Sequence, residues 1–448
     1  MLDQSFSVEN FRKIFDLENR KGNYLEGTFF PSLEEITFEI KKSISDIRTL
    51  RQNKSSYSPQ DYFNKKKNLY EIRDALKNTK EERLLQLLEI VSKKVYAKGF
   101  SFDVTQIDLG FDKPFYREAR NAEAYFSLKQ LQSNIRNLYK VKQSNRFHIV
   151  SQLKQHLNDK FPKYVIRTDI SSFYESIPRD EILKFLNEDP LLSQTSKKFI
   201  KKILYEYGTI SGEQTGLPRG IGISAYLAEL YMRKLDQSIQ GIKCVKYYAR
   251  YVDDIFIISY PDPNDDVNDI KSSIFQLISD NFLTPNSSKT KDVIIDKSTQ
   301  SSIEYLGYKF EINGGQVQLK LTDSKIEKLK NRIDLTFADY NKNKLKNSKK
   351  ASSLLLKRLR FLTGNTRLHN NKRNVVTGIF FSNSLLSKPE YLLSLDSYLN
   401  TKIPTINNQR IEAKISQLSF VDGFERRRYF QFSPTDLRDI VKVWKHVT

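Results

Sequence analysis

The sequence predicts a protein of mixed α and β structure, with a sheet domain between two mainly helical regions. Between residues 160 and 310, short runs rich in β-branched and aromatic residues alternate with amphipathic stretches. The runs are "YVIRTD", "VKYYARYV" and "IFIIS", and the amphipathic stretches include "RDEILKFLNE" and "SAYLAELYMRKLDQ". This alternation indicates an α/β or α+β domain. The stretches 1–100 and beyond 320 carry mainly helical patterns.

The clearest helix of the N-terminal region is expected to begin at Thr79. There "TKEE" predicts a capping box with Glu82, and Gly99 is the expected C-terminal cap. The apolar residues between them recur at helical spacing: Leu84, Leu85, Leu88, Val91 and Val95. No candidate catalytic residue stands out in this region, which we interpret as a helical N-terminal layer.

Charge and composition narrow the functional classes. The 448 residues carry a formal net charge of +21, which is typical of proteins that bind a polyanion, although a solubilising surface is the alternative. The single cysteine excludes an internal disulfide and a cysteine-based zinc site, and four histidines leave little for histidine ligation. With no apolar leader or membrane-length segment in the sequence, we expect a cytoplasmic protein without a membrane partner.

Two basic segments are candidate phosphate contacts. In "YKVKQSNRFH" (139–148), Lys140, Lys142 and Arg146 alternate as on one face of a strand, which fits triphosphate binding or a solvated strand edge. From Asn341 to Val375 there is no acidic residue, and a leucine stripe predicts a helix with a basic outer side. Such a helix suits a nucleic-acid backbone, and a solvated basic face is the alternative. The basic residues are Lys342, Lys344, Lys346, Lys349, Lys350, Lys357, Arg358, Arg360, Arg367, Lys372 and Arg373.

Three aspartates form the candidate catalytic cluster. Asp169 ends an apolar strand, and Asp253 and Asp254 lie between two strand patterns, where an ordinary acidic turn is the alternative. Together they would repel one another unless divalent cations neutralise them. Oxygen ligands without His or Cys indicate Mg²⁺ or Mn²⁺. Two such ions can activate a 3′-hydroxyl and stabilise leaving pyrophosphate.

Five segments in chain order resemble reverse transcriptases. "TDISSFY" (168–174) resembles their first catalytic motif, and "YVDD" (251–254) resembles their Tyr-x-Asp-Asp motif. "GLPRGIGISAYLAELYM" (216–232) is similar to the Leu-Pro-Gln-Gly segment, and "LTPNSSKTK" (283–291) to Leu-x-x-Asn-x-x-Lys-Thr. "EYLGYKF" (304–310) is similar to the Phe/Tyr-Leu-Gly grip below the primer end. The resemblance implies a right-hand polymerase fold.

The resemblance also assigns roles around the aspartates. Asp169 and Asp253 would bridge both metal ions, with Asp254 a weaker contributor and the backbone carbonyl of Ile170 a further ligand. Tyr174 occupies the place of a steric gate against a ribose 2′-hydroxyl, which implies deoxynucleoside triphosphate substrates. A core tyrosine is the alternative interpretation of that residue.

Further substrate contacts follow from the same comparison. Gly220 would allow close backbone approach to substrate, and Lys289 would neutralise or protonate pyrophosphate, although a solvated lysine at a helix end is the alternative. Lys140 and Arg146 correspond loosely to residues that grip the triphosphate. Arg219 replaces the usual glutamine of Leu-Pro-Gln-Gly and brings a charged, planar group to the nucleotide or template.

The C-terminal part and Arg219 together resemble bacterial abortive-infection and defence-associated reverse transcriptases. This lineage implies antiphage defence, synthesis with or without an RNA template, an RNA partner, a DNA product and a homo-oligomer. The expected domains are a helical region (1–100), fingers (101–160), palm (161–318) and a basic helical thumb-like domain (319–448). The alternatives are a catalytically silent RNA-binding protein and a mobile-element enzyme of retron or intron type.

Overall fold

A computed structural model describes residues 2–110, 113–368 and 375–444. It contains two compact units, and each one combines separate parts of the chain. The first unit comprises residues 1–142 and 172–233, and the second comprises residues 143–171 and 234–448. The four domains expected from the sequence follow a different division, and their functional assignment stays a prediction.

The helices and strands are numbered along the chain. The helices are α1 Val8–Arg20, α2 Leu25–Phe29, α3 Glu34–Gln52, α4 Pro59–Tyr96, α5 Ala122–Leu138, α6 Arg146–Leu157, α7 Phe173–Ser176, α8 Arg179–Glu188, α9 Gln194–Ser211, α10 Ile223–Gln240, α11 Val267–Asp280, α12 Asp323–Asn343, α13 Ser348–Thr363, α14 Leu393–Lys402, α15 Gln409–Ile415, α16 Phe420–Glu425 and α17 Pro434–Val441. The strands are β1 Thr105–Ile107, β2 Phe115–Arg117, β3 Lys163–Asp169, β4 Val245–Tyr251, β5 Asp254–Ser259, β6 Lys291–Ile295, β7 Gln300–Tyr305, β8 Tyr308–Asn313, β9 Gln316–Leu321, β10 Asn365–Leu368 and β11 Val375–Gly378.

The first unit is mainly helical, as the sequence predicts, but its longest helix begins earlier than expected. α4 starts after Ser58, whose side chain caps the amide of Asp61, and Pro59 occupies the first turn. The expected start at Thr79 is wrong, because that hydroxyl donates to the carbonyl of Ala75 inside the same continuous helix. The expected cap at Gly99 is also wrong, because α4 ends at Tyr96.

Aromatic side chains form much of the core of the first unit. The rings of Phe6 and Phe199 lie 4.8 Å apart in an edge-on arrangement, and those of Phe11 and Phe126 lie 5.4 Å apart. All four residues are buried. These contacts join α1, α5, α9 and the segment before α1, and burial of such large rings contributes substantial apolar stabilisation.

The second unit contains the sheet that carries the acidic motifs. Its four strands are ordered β4-β5-β3-β6, and all three pairings are antiparallel. A second antiparallel sheet has the order β7-β8-β9. The strands predicted from "YVIRTD", "VKYYARYV" and "IFIIS" correspond to β3, β4 and β5, and their hydrophobicity reflects burial of the central strands.

One face of the four-stranded sheet carries both core residues and the acidic residues. Val165 of β3 and Phe256 of β5 belong to a hydrophobic cluster that includes α6 and the second sheet. Because alternate residues of a strand share a face, Arg167 and Asp169 lie on the same face as Val165. The apolar end of this face anchors β3, so its C-terminal carboxylate is held by a rigid element.

The strand expected between residues 139 and 148 is absent from the structure. Lys140 adopts a positive φ of 53° outside any regular element, and Arg146 is the first residue of α6. The side chain of Asn145 accepts hydrogen bonds from the amides of Phe147 and His148 and therefore caps that helix. The alternating lysines are thus a loop pattern rather than a strand face.

The basic C-terminal segment includes the end of α12, the whole of α13 and β10, and the first residue of β11, but part of its charge is neutralised internally. Arg358 is buried and pairs with Asp339 at 2.5 Å, so its expected place on an outer basic face is wrong. Lys357 pairs with Asp436 at 2.6 Å. Lys372 and Arg373 lie outside the described residues. Within the described part of the chain, no helix is both long enough and apolar enough to span a bilayer.

Candidate active site

The acidic cluster is built by the pairing of β3 with β5. Asp169 and Asp254 are directly opposite each other in the antiparallel register. The turn between β4 and β5 contains Val252, which has an unusual φ of +62°, and Asp253. The carbonyl of Asp253 accepts a hydrogen bond from the amide of Ile170 at 3.1 Å, which ties the turn to the end of β3. The sequence prediction that these aspartates come together is therefore consistent with the backbone pairing.

Asp169 is held from the segment before β6. Lys289 Nζ lies 2.7 Å from Asp169 Oδ2, and Asn286 Nδ2 donates to the same oxygen at 3.3 Å. The amide of Asn286 also donates to the carbonyl of Asp169 at 2.7 Å. The hydrogen bond to Asp169 raises the pKa of Lys289, so the ammonium stays protonated at neutral pH. The Asp169 side chain is only 8% exposed, whereas that of Lys289 is 57% exposed.

Asp254 has a cationic partner of its own. Arg167 NH2 lies 2.6 Å from Asp254 Oδ1, and Arg167 NH1 donates to the carbonyl of Lys289 at 2.8 Å. Burial raises the pKa of Asp254 to about 6, and the charges of Asp169 and Asp253 add to this effect while Arg167 opposes it. The three carboxylates are therefore close enough to affect one another electrostatically.

The donor atoms of this cluster are oxygens, the ligand type that hard divalent cations prefer. Among the residues that the structure describes, no three Asp, Glu, His or Cys side chains are grouped closely enough to hold one ion together. Two of the carboxylates instead contact Lys289 and Arg167, which shows that the cluster attracts positive charge. Carboxylate and carbonyl oxygens are the ligands that Mg²⁺ and Mn²⁺ prefer. Asp169, Asp253, Asp254 and the Ile170 carbonyl are the candidate ligands.

A second group of predicted residues comes together in the first unit. Arg219 NH2 lies 3.0 Å from Glu175 Oε1, and its guanidinium stacks over Tyr174 with 5.3 Å between its carbon and the ring centre. Lys113 contacts the other oxygen of Glu175 at 3.2 Å. The pKa of Glu175 is lowered overall. Burial acts to raise it, but the hydrogen bonds to the carboxylate and the charge of Arg219 have the larger combined effect. The amide of Leu217 donates to the carbonyl of Tyr174 at 2.7 Å, which fixes the "GLPRG" segment beside the tyrosine.

Gly220 is required by a backbone contact within the first unit. It has a φ of +103°, and a Cβ there would lie 2.5 Å from the carbonyl oxygen of Tyr116. The amide of Tyr116 donates to the carbonyl of Arg219 at 2.7 Å, so the chains run close together. This contact accounts for the glycine through packing. Its expected contact with substrate stays a prediction.

Residues 120–310 match the family model described as reverse transcriptase (RNA-dependent DNA polymerase). The chain contains a reverse transcriptase domain. This match confirms the predicted α+β polymerase fold, and it indicates the predicted enzyme class, RNA-directed DNA polymerase, for residues 120–310. It includes all three aspartates, Tyr174 and Lys289, and the bacterial defence lineage stays a prediction.

Solved telomerase structures are also similar to the chain. Telomerase from Candida tropicalis in complex with a TWJ fragment of telomeric RNA is 13% identical to this chain. The matched region covers 85% of this chain and 72% of the telomerase chain, with a TM-score of 0.37. Telomerase from Candida albicans in complex with a TWJ fragment of telomeric RNA is also 13% identical to this chain. The matched region covers 70% of this chain and 53% of that telomerase chain, with a TM-score of 0.31. The chain thus spans about half the length of the latter protein. The comparison with curated proteins gives no match.

Two predicted residues of the reverse transcriptase domain belong to different units. Lys140 lies in the first unit, whereas Arg146 lies in the second, where its Nε donates to the carbonyl of Leu306 at 2.7 Å. Their proposed shared contact with a triphosphate stays a prediction. Arg146 instead stacks over the ring of Tyr308, with 5.1 Å between the guanidinium carbon and the ring centre.

Sequence reasoning missed two residues that organise the aspartates. Arg167 lies two positions before Asp169 and therefore on the same face of β3, a spacing that could have identified it. Asn286 is the asparagine of "LTPNSSKTK", and the motif alone does not indicate its partner. Only the fold shows that its amide and side chain both contact Asp169.

Proposed function

We propose that the reverse transcriptase domain adds deoxynucleotides to a growing 3′ end by two-metal phosphoryl transfer. The observation that carries this proposal is the register of β3 and β5, which sets Asp169 opposite Asp254 beside the Asp253 turn. An acidic cluster at the rigid end of buried strands is a suitable support for catalytic cations.

Each residue of the cluster has a distinct role in this proposal. Asp169 and Asp253, with the carbonyl of Ile170, would hold the cations, and Asp254 would contribute more weakly because it already pairs with Arg167. Bound cations supply activation of the 3′-hydroxyl and charge stabilisation at the leaving pyrophosphate. Lys289 is largely exposed and protonated, so it would leave Asp169 and neutralise or protonate pyrophosphate.

Substrate selection is proposed for residues of the first unit. Tyr174 would exclude a ribose 2′-hydroxyl, and stacking of Arg219 over its ring limits the rotamers of the tyrosine. Arg219 would act on the nucleotide or template only through the part of its charge that Glu175 leaves unneutralised. Gly220 would allow the backbone of this segment to approach substrate.

The partners proposed are deoxynucleoside triphosphates, RNA and the DNA product. The net charge of +21 supports contact with a nucleic-acid backbone, and the RNA would be a template or an associated non-coding strand. Template-independent synthesis is the alternative mode. The homo-oligomer is proposed from the resemblance of the sequence to the defence lineage.

The polymerase proposal is tested with purified protein, labelled deoxynucleotides and Mg²⁺. We expect DNA synthesis on an RNA template, or without a template, that Asp253→Ala abolishes. Asp292→Ala is the matched control, because Asp292 lies on β6 of the same sheet, pairs with Lys271 at 2.7 Å and is not one of the proposed ligands. Synthesis by the Asp253→Ala protein at the wild-type rate would contradict the proposal.

The biological role proposed is bacterial antiphage defence, and its support is the sequence resemblance alone. Bacteria that express the chain should survive phage challenge better than cells without it, and Asp253→Ala should remove this protection. Protection that survives the substitution would favour the second candidate, a catalytically silent RNA-binding defence protein, which the net charge supports. A retron or intron enzyme would be indicated by a structured RNA or an intron in the neighbouring DNA.

A further inference from the structure

A cavity in the second unit is lined by basic side chains from two helices. Its volume is about 440 Å³, within the range of small-ligand sites. Lys325, Lys328 and Arg332 of α12 line it, and Arg146 of α6 contributes from a second element. We call this the basic cavity. The three α12 residues are spaced at i, i+3 and i+7, so they share one face of the helix.

The basic cavity holds positive charge without acidic compensation. Within residues 2–110, 113–368 and 375–444, no ion pair involves Arg146, Lys325, Lys328 or Arg332, and no acidic side chain lines the cavity. The Nε of Arg332 is buried and has no hydrogen-bond partner in that part of the chain. Buried hydrogen-bond donors normally have an acceptor, so a bound ligand with an acceptor atom would complete this site.

The turn between β7 and β8 brings two of the cations together. Leu306 and Gly307 have φ values of +47° and +74°, and a Cβ on Gly307 would lie 3.2 Å from Arg146 NH2 and 3.6 Å from Lys325 Cδ. Lys325 Nζ lies 5.2 Å from the ring centre of Tyr308, the ring that Arg146 also contacts. Burial, together with the charge of Arg146, lowers the pKa of Lys325 to about 7. An anion in the cavity would offset the repulsion between the positive charges of Lys325 and Arg146.

We propose that the basic cavity binds a terminal phosphate group, the phosphomonoester of a free nucleotide or of a nucleic-acid 5′ end. Four basic side chains match a dianion better than the single charge of an internal phosphodiester. Thr322 and Ser324 add hydroxyl groups at the start of α12, where the helix dipole also favours an anion. The cavity is closed in by α12, α13, the β7–β8 turn and residues 377–383, which suits the end of a molecule. The basic cavity shares Arg146 with the predicted triphosphate contact, but it does not use the carboxylate cluster and therefore lies beyond the proposed function.

The binding test uses EDTA, so that the carboxylate cluster contributes no metal-dependent nucleotide binding. Oligodeoxynucleotides that carry a 3′ fluorophore and either a 5′-phosphate or a 5′-hydroxyl are titrated with protein, and deoxyadenosine monophosphate is titrated by calorimetry. Lys328→Ala is the test variant, because Lys328 is exposed and its replacement should leave folding intact. Lys330→Ala is the matched control, since Lys330 lies on the same helix, pairs with Glu327 at 2.6 Å and does not line the cavity.

The proposal predicts at least tenfold tighter binding of the 5′-phosphorylated strand than of the 5′-hydroxyl strand, lost in Lys328→Ala and kept in Lys330→Ala. Binding of deoxyadenosine monophosphate without strand selectivity, with the same variant pattern, would identify a free nucleotide as the source. Equal binding of both strands without monophosphate binding would overturn the proposal, and so would the absence of all binding. Asp253→Ala should bind normally, which separates this result from failure of the polymerase proposal.

A pH series adds a readout that general electrostatic attraction would not produce. Above pH 7 a phosphomonoester is already dianionic, so Lys325 is the group of the cavity that gains a proton on binding. The other basic groups of the cavity are Arg146, Lys328 and Arg332. Asn383 is uncharged, and burial raises the pKa of Tyr308 so that its hydroxyl stays neutral. Affinity should fall between pH 7 and 9 in the wild type and be flatter in Lys325→Ala. An unchanged slope in that variant would count against the assignment.

Discussion

Asp169 and Asp254 are opposite each other in the β3–β5 register, and each contacts a different cation, Lys289 or Arg167. The arrangement gives two adjacent carboxylates separate counter-charges from the same unit. It explains why the pair is tolerated at the end of a buried sheet, where uncompensated carboxylates are costly. It also means that cation binding must compete with these side chains, and the consequences can be measured.

Arg167→Met should make folding depend more strongly on divalent cations. The substitution leaves Asp254 beside two further carboxylates without its guanidinium partner, so unfolding should become easier by about 1–3 kcal/mol without metal. Mg²⁺ should recover more of the melting temperature than in the wild type. Lys271→Met, which removes the more exposed pair with Asp292, is the control and should not change the Mg²⁺ response. Equal Mg²⁺ responses in both variants would contradict the account.

Lys289→Ala should slow nucleotide addition and leave the protein folded. The ammonium is largely exposed, and its loss removes the proposed charge at the leaving pyrophosphate, so the single-turnover rate should fall about 100-fold. Lys291→Ala, two residues later, is the control and should retain the wild-type rate. If Lys289→Ala also keeps that rate, the lysine has only a packing or solvated role.

Tyr174→Ala should relax the discrimination between deoxyribonucleotides and ribonucleotides. Removal of the ring opens space for a 2′-hydroxyl, so the selectivity ratio of kcat/KM should fall about tenfold or more. Tyr174→Phe keeps the ring that Arg219 contacts and should retain the selectivity. A ratio unchanged in the alanine variant would assign Tyr174 to packing alone.

Glu18→Gln should destabilise the first unit at neutral pH. Burial raises the pKa of Glu18, but hydrogen bonds from Lys21 and Tyr125 and the charge of Lys129 lower it to about 2. Because the folded-state pKa is below the ordinary value, the carboxylate stabilises the fold above about pH 4.5, and this contribution is lost as the pH falls toward 2. The variant should lose about 1–3 kcal/mol at pH 7, measured by denaturant unfolding, and much less near pH 2. A loss that does not depend on pH would show that the charge of Glu18 is unimportant.

The sequence predicted local features well where one interaction dominated. Strands β3 and β5 are buried along nearly their whole length, so their apolar runs mark their position closely. The strand prediction for 139–148 is wrong, because the lysine alternation resembles a strand pattern and the decisive signal is the Asn145 cap of α6. The Thr79 capping box matched a motif inside a helix that Ser58 and Pro59 had already started.

The pairings that organise the sites depend on contacts between distant parts of the chain. Arg167 meets Asp254, and Arg358 meets Asp339 in the interior, where the basic pattern of α13 had suggested an exposed face. Periodicity assigns a residue to a face but does not identify what covers that face. The three aspartates could still be proposed from sequence because their motifs follow the order found in a known family.

The central claim is that Asp169 and Asp253 hold a pair of divalent cations. Mn²⁺ titration followed by electron paramagnetic resonance, with a deoxynucleotide present, measures this directly. We predict two bound ions per chain in the wild type, loss of this binding in Asp169→Asn and Asp253→Asn, and unchanged binding in Asp292→Asn. Wild-type Mn²⁺ stoichiometry and affinity in the Asp169 and Asp253 variants would contradict the claim.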